Sequence, residues 1–407
     1  MAAVCAVSGA AVATAKAPAN ACDSQYKKND VANLKNYEDC RFDRIEAQLD
    51  KLSATASTTP STSPTPTAKP SSTPTSTPKP TSSPSPTATS APTTGTSAAI
   101  RILGKTRSGL PWHSGAWVGG RFDTSTINAF GDWRGRASDV VTTYSPRDSY
   151  ATMMNNTWSI TTWDGFQGKL NYGLAMIPDN GEASLASIGA GEQDAVWRKV
   201  AQNLKDNNRG DSIVRLGWES NLKDWKWQAT VSNAAQYKAA FRRVVTTMRA
   251  EAPDLTFEFG VACGSGLSGS SDRMAPLNQV YPGDDVVDLV GCDTYDWWNT
   301  HPTDAASWAK TAAPADGPGV ADIVSFARAH AKGASFGEWG LAKSSNGGGG
   351  GDNAFFIRAM YDFFYANRDV VAFECYFDEP DAYLESSIFG AGQNPSAAAA
   401  YVQRWKS

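Results

Sequence analysis

Beyond about residue 98, the chain alternates short apolar runs with longer segments in which apolar residues recur every three or four positions. Short apolar runs are typical of buried strands, and the periodic segments are typical of helices packed on them. The alternation predicts a parallel sheet wrapped by helices, and eight such units close most simply into an α/β fold, a (β/α)8 TIM barrel over residues 98–407. The strand candidates are residues 115–119, 139–144, 170–177, 212–219, 255–263, 286–295, 334–339 and 370–376.

Residues 53–97 consist almost entirely of Ser, Thr, Pro and Ala, so they cannot form a hydrophobic face. This composition predicts a disordered, extended linker. In residues 22–52 the apolar side chains recur as along one face of a helix. We expect a short helical segment there, which either mediates weak self-association or anchoring, or is a marginal amphipathic helix without a partner.

Residues 2–15 are small and apolar and are followed by an Ala-x-Ala pattern at residues 19–21, which predicts a signal peptide over residues 1–21. We therefore expect a secreted, extracellular protein, which the N-terminal segment could also tether to a cell surface or a particle. No later run approaches the roughly 18 apolar residues of a membrane span. Cys22 and Cys40 are a plausible disulfide, whereas the pairing of Cys263, Cys292 and Cys375 stays open.

The net charge of −4 provides no basic surface for a nucleic acid, so DNA and RNA are not expected partners. The three histidines are widely separated, and the sequence contains no Cys-x-x-Cys. We therefore expect neither a metal site nor a cofactor. The 14 tryptophans suit either a large aromatic core or a surface that binds sugar rings.

The fourth strand candidate carries two charged residues, Arg215 and Glu219, that share one face at a period of two. Because an unpaired buried charge is costly, we expect both to belong to a polar cluster. Catalytic groups of such barrels lie at the C-terminal ends of the strands, which is where Glu219 is expected. A lone glutamate at a strand end is more often a solvated or capping group, so the assignment depends on its partners.

A second glutamate, Glu338, ends the seventh strand candidate between Gly337 and Trp339. We expect Arg215 to keep Glu338 ionised, whereas shielding by Trp218 would raise the pKa of Glu219. That contrast separates a nucleophile from a general acid.

The sixth strand candidate ends in Asp293, Thr294 and Tyr295, and we expect Tyr295 to donate a hydrogen bond to the nucleophile. Aromatic rings near this end of the barrel would stack on sugar rings, and polar side chains would take the hydroxyl groups. The expected substrate-binding residues are Trp218, Asn221, Trp225, Trp227, Asp293, Trp297, Trp298 and Trp339.

Three motifs occur in a specific order: Arg-Leu-Gly-Trp-Glu at residues 215–219, Gly-Cys-Asp-Thr-Tyr-Asp at 291–296 and Gly-Glu-Trp-Gly at 337–340. Over residues 110–405 this set resembles glycoside hydrolase family 26, in the clan of (β/α)8 retaining glycosidases. The resemblance implies hydrolysis of a β-linked polysaccharide, most commonly β-mannan, with Glu219 as acid/base and Glu338 as nucleophile. Better-known members carry His where this chain has Trp218, so the preferred sugar stays open.

Several alternatives remain at this point. The substrate could be xylan, β-glucan or a bacterial envelope polysaccharide, and a transglycosylase would use the same two glutamates. A barrel that binds carbohydrate for attachment, with little activity, is a further alternative. Asp378 and Glu379, which follow the eighth strand candidate, fit a solvated loop better than a sugar contact.

Overall fold

The computed structural model describes residues 96–297, 301–343, 348–390 and 392–406. Eight parallel strands close into a barrel in chain order, and helices connect them, which confirms the predicted fold. The predictions for residues 1–95, including the signal peptide, the helical segment and the Cys22–Cys40 bond, lie outside the described residues. Within those residues, none of the helices combines the length and the apolar character that a membrane crossing needs.

The strands are β1 His113–Trp117, β2 Val140–Tyr144, β3 Lys169–Leu174, β4 Ile213–Leu216, β5 Thr256–Ala262, β6 Leu289–Tyr295, β7 Gly333–Gly340 and β8 Val371–Phe377. The helices are α1 Ala98–Leu103, α2 Thr124–Arg134, α3 Tyr150–Asn155, α4 Trp158–Thr161, α5 Leu185–Gly189, α6 Asp194–Asp206, α7 Ala234–Glu251, α8 Ala275–Asn278, α9 Ala305–Ala312, α10 Val320–Ala329, α11 Ala354–Ala366 and α12 Pro395–Lys406.

The fourth strand is shorter than its sequence pattern predicts. It ends at Leu216, and the next residues turn away, because Gly217 and Glu219 both adopt left-handed backbone angles, with φ of 55° and 50°. The expectation that Glu219 lies within a regular strand is therefore wrong, although it still follows the C-terminal end of β4.

The lower part of the barrel interior is apolar. Val140, Ile213, Leu289 and Phe373, from the four even-numbered strands, pack together there, and Leu103 of α1 belongs to the same cluster. Alternate strands contribute one layer of side chains, as is usual in this fold. A polar layer can therefore lie above this apolar layer, toward the C-terminal ends of the strands.

The structure shows a disulfide whose pairing the sequence left open. Cys263, which follows β5, forms a disulfide with Cys292 of β6, whereas Cys375 of β8 is a buried free thiol. The bond links two neighbouring strands beside the motif that contains Asp293.

The last helix is attached to the barrel through a buried carboxylate, Glu374 of β8. The indole Nε1 of Trp405 in α12 donates to Glu374 at 3.0 Å, and those of Trp339 and Trp112 donate at 2.6 and 3.4 Å. The ring of Trp405 also stacks on Tyr401 with centroids 4.0 Å apart.

We expect Trp405→Phe to lower the free energy of unfolding by about 2 kcal/mol, because it keeps an aromatic ring but withdraws one donor from a buried carboxylate. Chemical denaturation measures this change. Tyr365→Phe is the matched control, because Tyr365 is exposed on α11 and should change stability by less than about 0.5 kcal/mol. Equal midpoints for Trp405→Phe and the wild type would show that the hydrogen bond does not stabilise the fold.

Candidate active site

The turn after β4 brings Glu219 to the C-terminal end of the barrel. Gly217 N–H donates to Leu174 at 2.8 Å, and both the N–H and the hydroxyl of Ser220 donate to the carbonyl of Gly260, at 3.2 and 3.0 Å. A non-glycine residue with a left-handed backbone costs about 1 kcal/mol. These contacts hold Glu219 in that conformation, and such strain is concentrated at functional sites.

Arg215 lies at the centre of the polar layer and is almost completely buried. Its Nη1 donates to Glu338 at 2.7 Å, its Nε donates to Glu258 at 3.0 Å, and its Nη2 donates to both carboxylate oxygens of Asp293. Burial alone would favour the neutral form, but these three carboxylates outweigh it and raise the pKa of Arg215. The guanidinium is thus a fixed cation joining β4, β5, β6 and β7.

Glu338, on β7, accepts hydrogen bonds at both carboxylate oxygens. Oε1 accepts from Arg215 and from the hydroxyl of Tyr144, and Oε2 accepts from Tyr295 at 2.9 Å. A group that only accepts is matched to a carboxylate and not to a proton donor. The preceding glycine gives the space for this contact, because a Cβ at Gly337 would lie 2.5 Å from the Nε of Arg215.

Glu219 has a different environment. Burial, reinforced by the charge of Glu338, raises its pKa from an ordinary value of 4.5 to about 7, against the lowering effect of a hydrogen bond from Trp225. That bond joins the indole Nε1 to Oε2 at 2.9 Å. A carboxyl group that keeps its proton near neutral pH can act as a general acid. The pair therefore contains one poised proton donor and one carboxyl group that only accepts hydrogen bonds.

The tryptophans around Glu219 pack on one another. Trp218 and Trp227 are buried, and the indole of Trp227 donates to the Trp218 carbonyl at 2.9 Å. Trp225 stacks on Trp227 at 4.9 Å between centroids, and the guanidinium of Arg147 lies 5.3 Å from the Trp225 centroid. Packing leaves little of Trp218 and Trp227 exposed, whereas Trp225 is partly exposed, so sugar stacking by these rings stays a prediction.

Three other expected substrate contacts are also occupied inside the protein. Trp339 has no exposed surface, and its indole binds Glu374. The amide of Asn221 donates to Ala262 and Ser265, and both oxygens of Asp293 bind Arg215. These internal contacts organise the site, and a sugar contact by any of the three side chains stays a prediction.

Trp297 remains a candidate platform, since it is partly exposed at the end of β6. Trp298 lies outside the described residues.

Asp378 and Glu379 are buried, so the expectation of a solvated loop is wrong. Asp378 accepts from the N–H groups of Ile388 and Phe389, at 2.7 and 2.9 Å, and binds Arg121 at 2.9 Å. Burial raises the pKa of Asp378 to about 6. The carboxylate fixes the backbone of the loop after β8.

Two members of the site were missed by the sequence analysis. Tyr144 ends β2, and Glu258 is a charged residue between Phe257 and Phe259 of β5. The signal for Glu258 was available, because a charge in an otherwise apolar strand belongs to a polar cluster. Among the described residues, no group of three or more His, Cys, Asp or Glu side chains is arranged to hold a metal ion.

Comparison with known proteins supports the fold. No family model matches the chain. A modular endo-β-1,4-mannanase from Cellulomonas fimi superimposes with a TM-score of 0.53 at 17% identity, over 75% of this chain and 74% of that one. A family 26 β-mannanase from Bacteroides ovatus gives 0.50 at 14% identity, over 76% and 92% of the two chains. The chain resembles family 26 enzymes in fold.

One relative is found from sequence alone. The protein named Endoglucanase H of Acetivibrio thermocellus is 29% identical over 216 residues, which is 50% of this chain. The matched segment covers only 21% of that longer protein.

The raised pKa of Glu219 predicts a cost in stability at neutral and higher pH. A carboxyl group whose pKa is higher in the folded state stabilises the fold while protonated, and this contribution is lost as pH rises from about 4.5 through about 7. Glu219→Gln should therefore unfold like the wild type near pH 4 and be more stable by about 1–3 kcal/mol at pH 8.

Unfolding midpoints measured from pH 4 to pH 8 test this. Glu192→Gln is the control, because Glu192 is exposed on the surface and its neutralisation should leave the pH dependence unchanged. A constant difference between Glu219→Gln and the wild type across this range would contradict the assignment.

Proposed function

We propose that this chain is a retaining glycoside hydrolase that cleaves a β-linked polysaccharide. The observation that carries the proposal is the contrast between two carboxyl groups at one end of the barrel. Glu338 is held as an acceptor by Arg215, Tyr144 and Tyr295, whereas Glu219 has a pKa raised to about 7. Environments that separate two carboxyl groups in this way assign the nucleophile and the acid.

The proposed reaction is a double displacement. The Oε atom of Glu338 attacks the anomeric carbon while Glu219 gives its proton to the leaving glycosidic oxygen, which breaks that bond and forms a glycosyl ester. Glu219 then takes a proton from water, and the oxygen of that water displaces Glu338 from the anomeric carbon. Retention of configuration requires the two carboxyl groups to lie about 5 to 5.5 Å apart.

The surrounding donors would act on the nucleophile as its charge changes. Arg215 and Tyr295 orient the Glu338 carboxylate before attack, and they stabilise it again when it leaves in the second step. Their positions are fixed by strand-to-strand contacts, so little rearrangement accompanies the reaction. The residues described supply all the acid–base groups of this scheme.

We propose β-mannan as the first substrate to test, since the structural neighbours include proteins named endo-β-1,4-mannanases. β-Glucan is the second candidate, because the relative found from sequence is named an endoglucanase. Trp297, which is partly exposed at the end of β6, is the proposed sugar platform.

We also propose that the protein is secreted. The Cys263–Cys292 disulfide supports this, because such bonds persist mainly in oxidising compartments. The signal peptide pattern of residues 1–21 and the linker composition of residues 53–97 are consistent with export and with a tether to a surface.

The proposal is tested by reducing-sugar release from mannan, xylan, β-glucan and bacterial envelope polysaccharides. We expect activity on one polymer, a loss of about a thousandfold or more in Glu338→Ala, and a loss of about a hundredfold or more in Glu219→Ala. Proton NMR of the first product should show the β-anomer. Binding without cleavage of any polymer, equal in the wild type and both variants, would favour an attachment module instead.

Trp225→Phe distinguishes a support for the acid from a sugar platform. Because the indole hydrogen bond favours ionised Glu219, its removal should move the alkaline limb of the pH profile to higher pH and lower kcat by about tenfold. A platform would instead raise KM with the limb unchanged. Trp158→Phe is the matched aromatic control, because the ring of Trp158 packs on Phe122 and not on Trp225.

A further inference from the structure

Glu258 is a buried carboxylate at the site to which the proposed mechanism gives no task. It lies on β5 directly beside Arg215 in the barrel register, and it is 1% exposed. Its Oε1 accepts from the Nε of Arg215 at 3.0 Å. Its Oε2 has no hydrogen-bond partner among the residues that the structure describes.

The barrel leaves room for this side chain. A Cβ at Gly291 of β6 would lie 2.9 Å from the Cδ of Glu258 and 2.5 Å from the hydroxyl of Ser335. Any larger residue at this position of β6 would therefore displace the carboxylate. A neutral glutamine could occupy the same space and accept the same hydrogen bond, and it would avoid the cost of burying a charge. The charge itself therefore calls for an explanation.

The groups around Arg215 come from four strands, β2, β5, β6 and β7, and from the turn after β4. Arg215 is surrounded by Glu258 of β5, Asp293 of β6 and Glu338 of β7, and Tyr144 and Tyr295 add two phenols. Glu219 and the more distant Asp224 follow β4. One guanidinium thus serves three carboxyl groups, and burial raises the pKa of Asp293 well above its ordinary value against the lowering effect of Arg215.

We propose that Glu258 is a positioning residue that holds Arg215 from β5 and offsets part of its positive charge, so that Glu219 keeps its proton while Glu338 stays a nucleophile. The inference rests on the proposed function for its catalytic consequence. Without Glu258, the guanidinium would favour ionisation of both glutamates more strongly. A negative charge on Asp293 would act on Arg215 in the same direction, but Asp293 also holds the Nη2 of Arg215 through both of its oxygens. At Glu258 the charge can be removed while the hydrogen bond to Arg215 is kept.

The decisive variant is Glu258→Gln, because the glutamine oxygen can still accept from the Nε of Arg215 while the charge is lost. We expect both limbs of the kcat/KM profile to move to lower pH by about one unit. Glu258→Asp keeps the charge but shortens the reach, so its limbs should stay in place while kcat falls. Unmoved limbs in a folded Glu258→Gln protein, or an equal shift in Glu258→Asp, would overturn the proposal.

Glu374→Gln is the matched control. It removes another buried carboxylate of the barrel wall, one bound to the indoles of Trp339 and Trp405 and not to Arg215. We expect it to lower the unfolding midpoint without moving either limb. A limb shift in this variant as large as that of Glu258→Gln would show that loss of stability, not the charge beside Arg215, moves the profile.

A second readout needs no activity. The indole of Trp225 donates to Glu219, so tryptophan fluorescence should titrate with this carboxyl group, and the signal should disappear in Trp225→Phe. We expect a midpoint near pH 7 in the wild type and about one unit lower in Glu258→Gln. An unchanged midpoint would refute the role of Glu258 even if no cleaved glycan were found, whereas a shifted midpoint with no cleavage would count against the proposed function alone.

Discussion

The Arg215 guanidinium is the constraint on which the rest of the site depends. Its donors point in three directions, to Glu258, Asp293 and Glu338, and so fix side chains of four consecutive strands relative to one another. A lysine could not replace it, because one ammonium group lacks the planar fork that reaches several carboxylates at once. Arg215 follows Ile213 of the apolar layer on the same strand and is almost completely buried, and ion pairs are stronger in such surroundings than in water.

The two glutamates differ in how they affect the stability of the fold, and the difference follows their proposed roles. Glu338 accepts hydrogen bonds from three donors, and both of its carboxylate oxygens have a partner. Glu219 instead has a left-handed backbone and a pKa raised by burial. Both features of Glu219 oppose folding at neutral pH. The Ser220 contacts hold the left-handed turn after β4, and the hydrogen bond from Trp225 offsets part of the rise in the pKa of Glu219. A general acid needs a high pKa, so the cost in stability and the capacity to donate a proton have one physical origin.

The sequence was sufficient where one local pattern had one structural outcome. Short apolar runs predicted the eight strands, and charged residues near their ends located Arg215, Glu219 and Glu338. It failed where the outcome depended on distant packing. The residues around Trp339 in the sequence do not show that its indole binds Glu374 of the next strand. A ring at the end of a strand can point toward the helices or toward the site, and the packing of the helices decides which. The disulfide partner of Cys263 also depended on which strands became neighbours.

The residue before the proposed acid shows why the substrate is harder to read than the chemistry. Better-known members of the family that this chain resembles have a histidine there, a polar side chain, whereas Trp218 is buried. Its ring lies 5.2 Å from that of Tyr144, which donates to Glu338, and 5.0 Å from that of Trp225, which donates to Glu219. Trp218 therefore packs between the donors of the two glutamates and couples their positions. The proposed sugar contact, Trp297, is partly exposed and follows β6, so its position depends on the loops and not on the strand motifs.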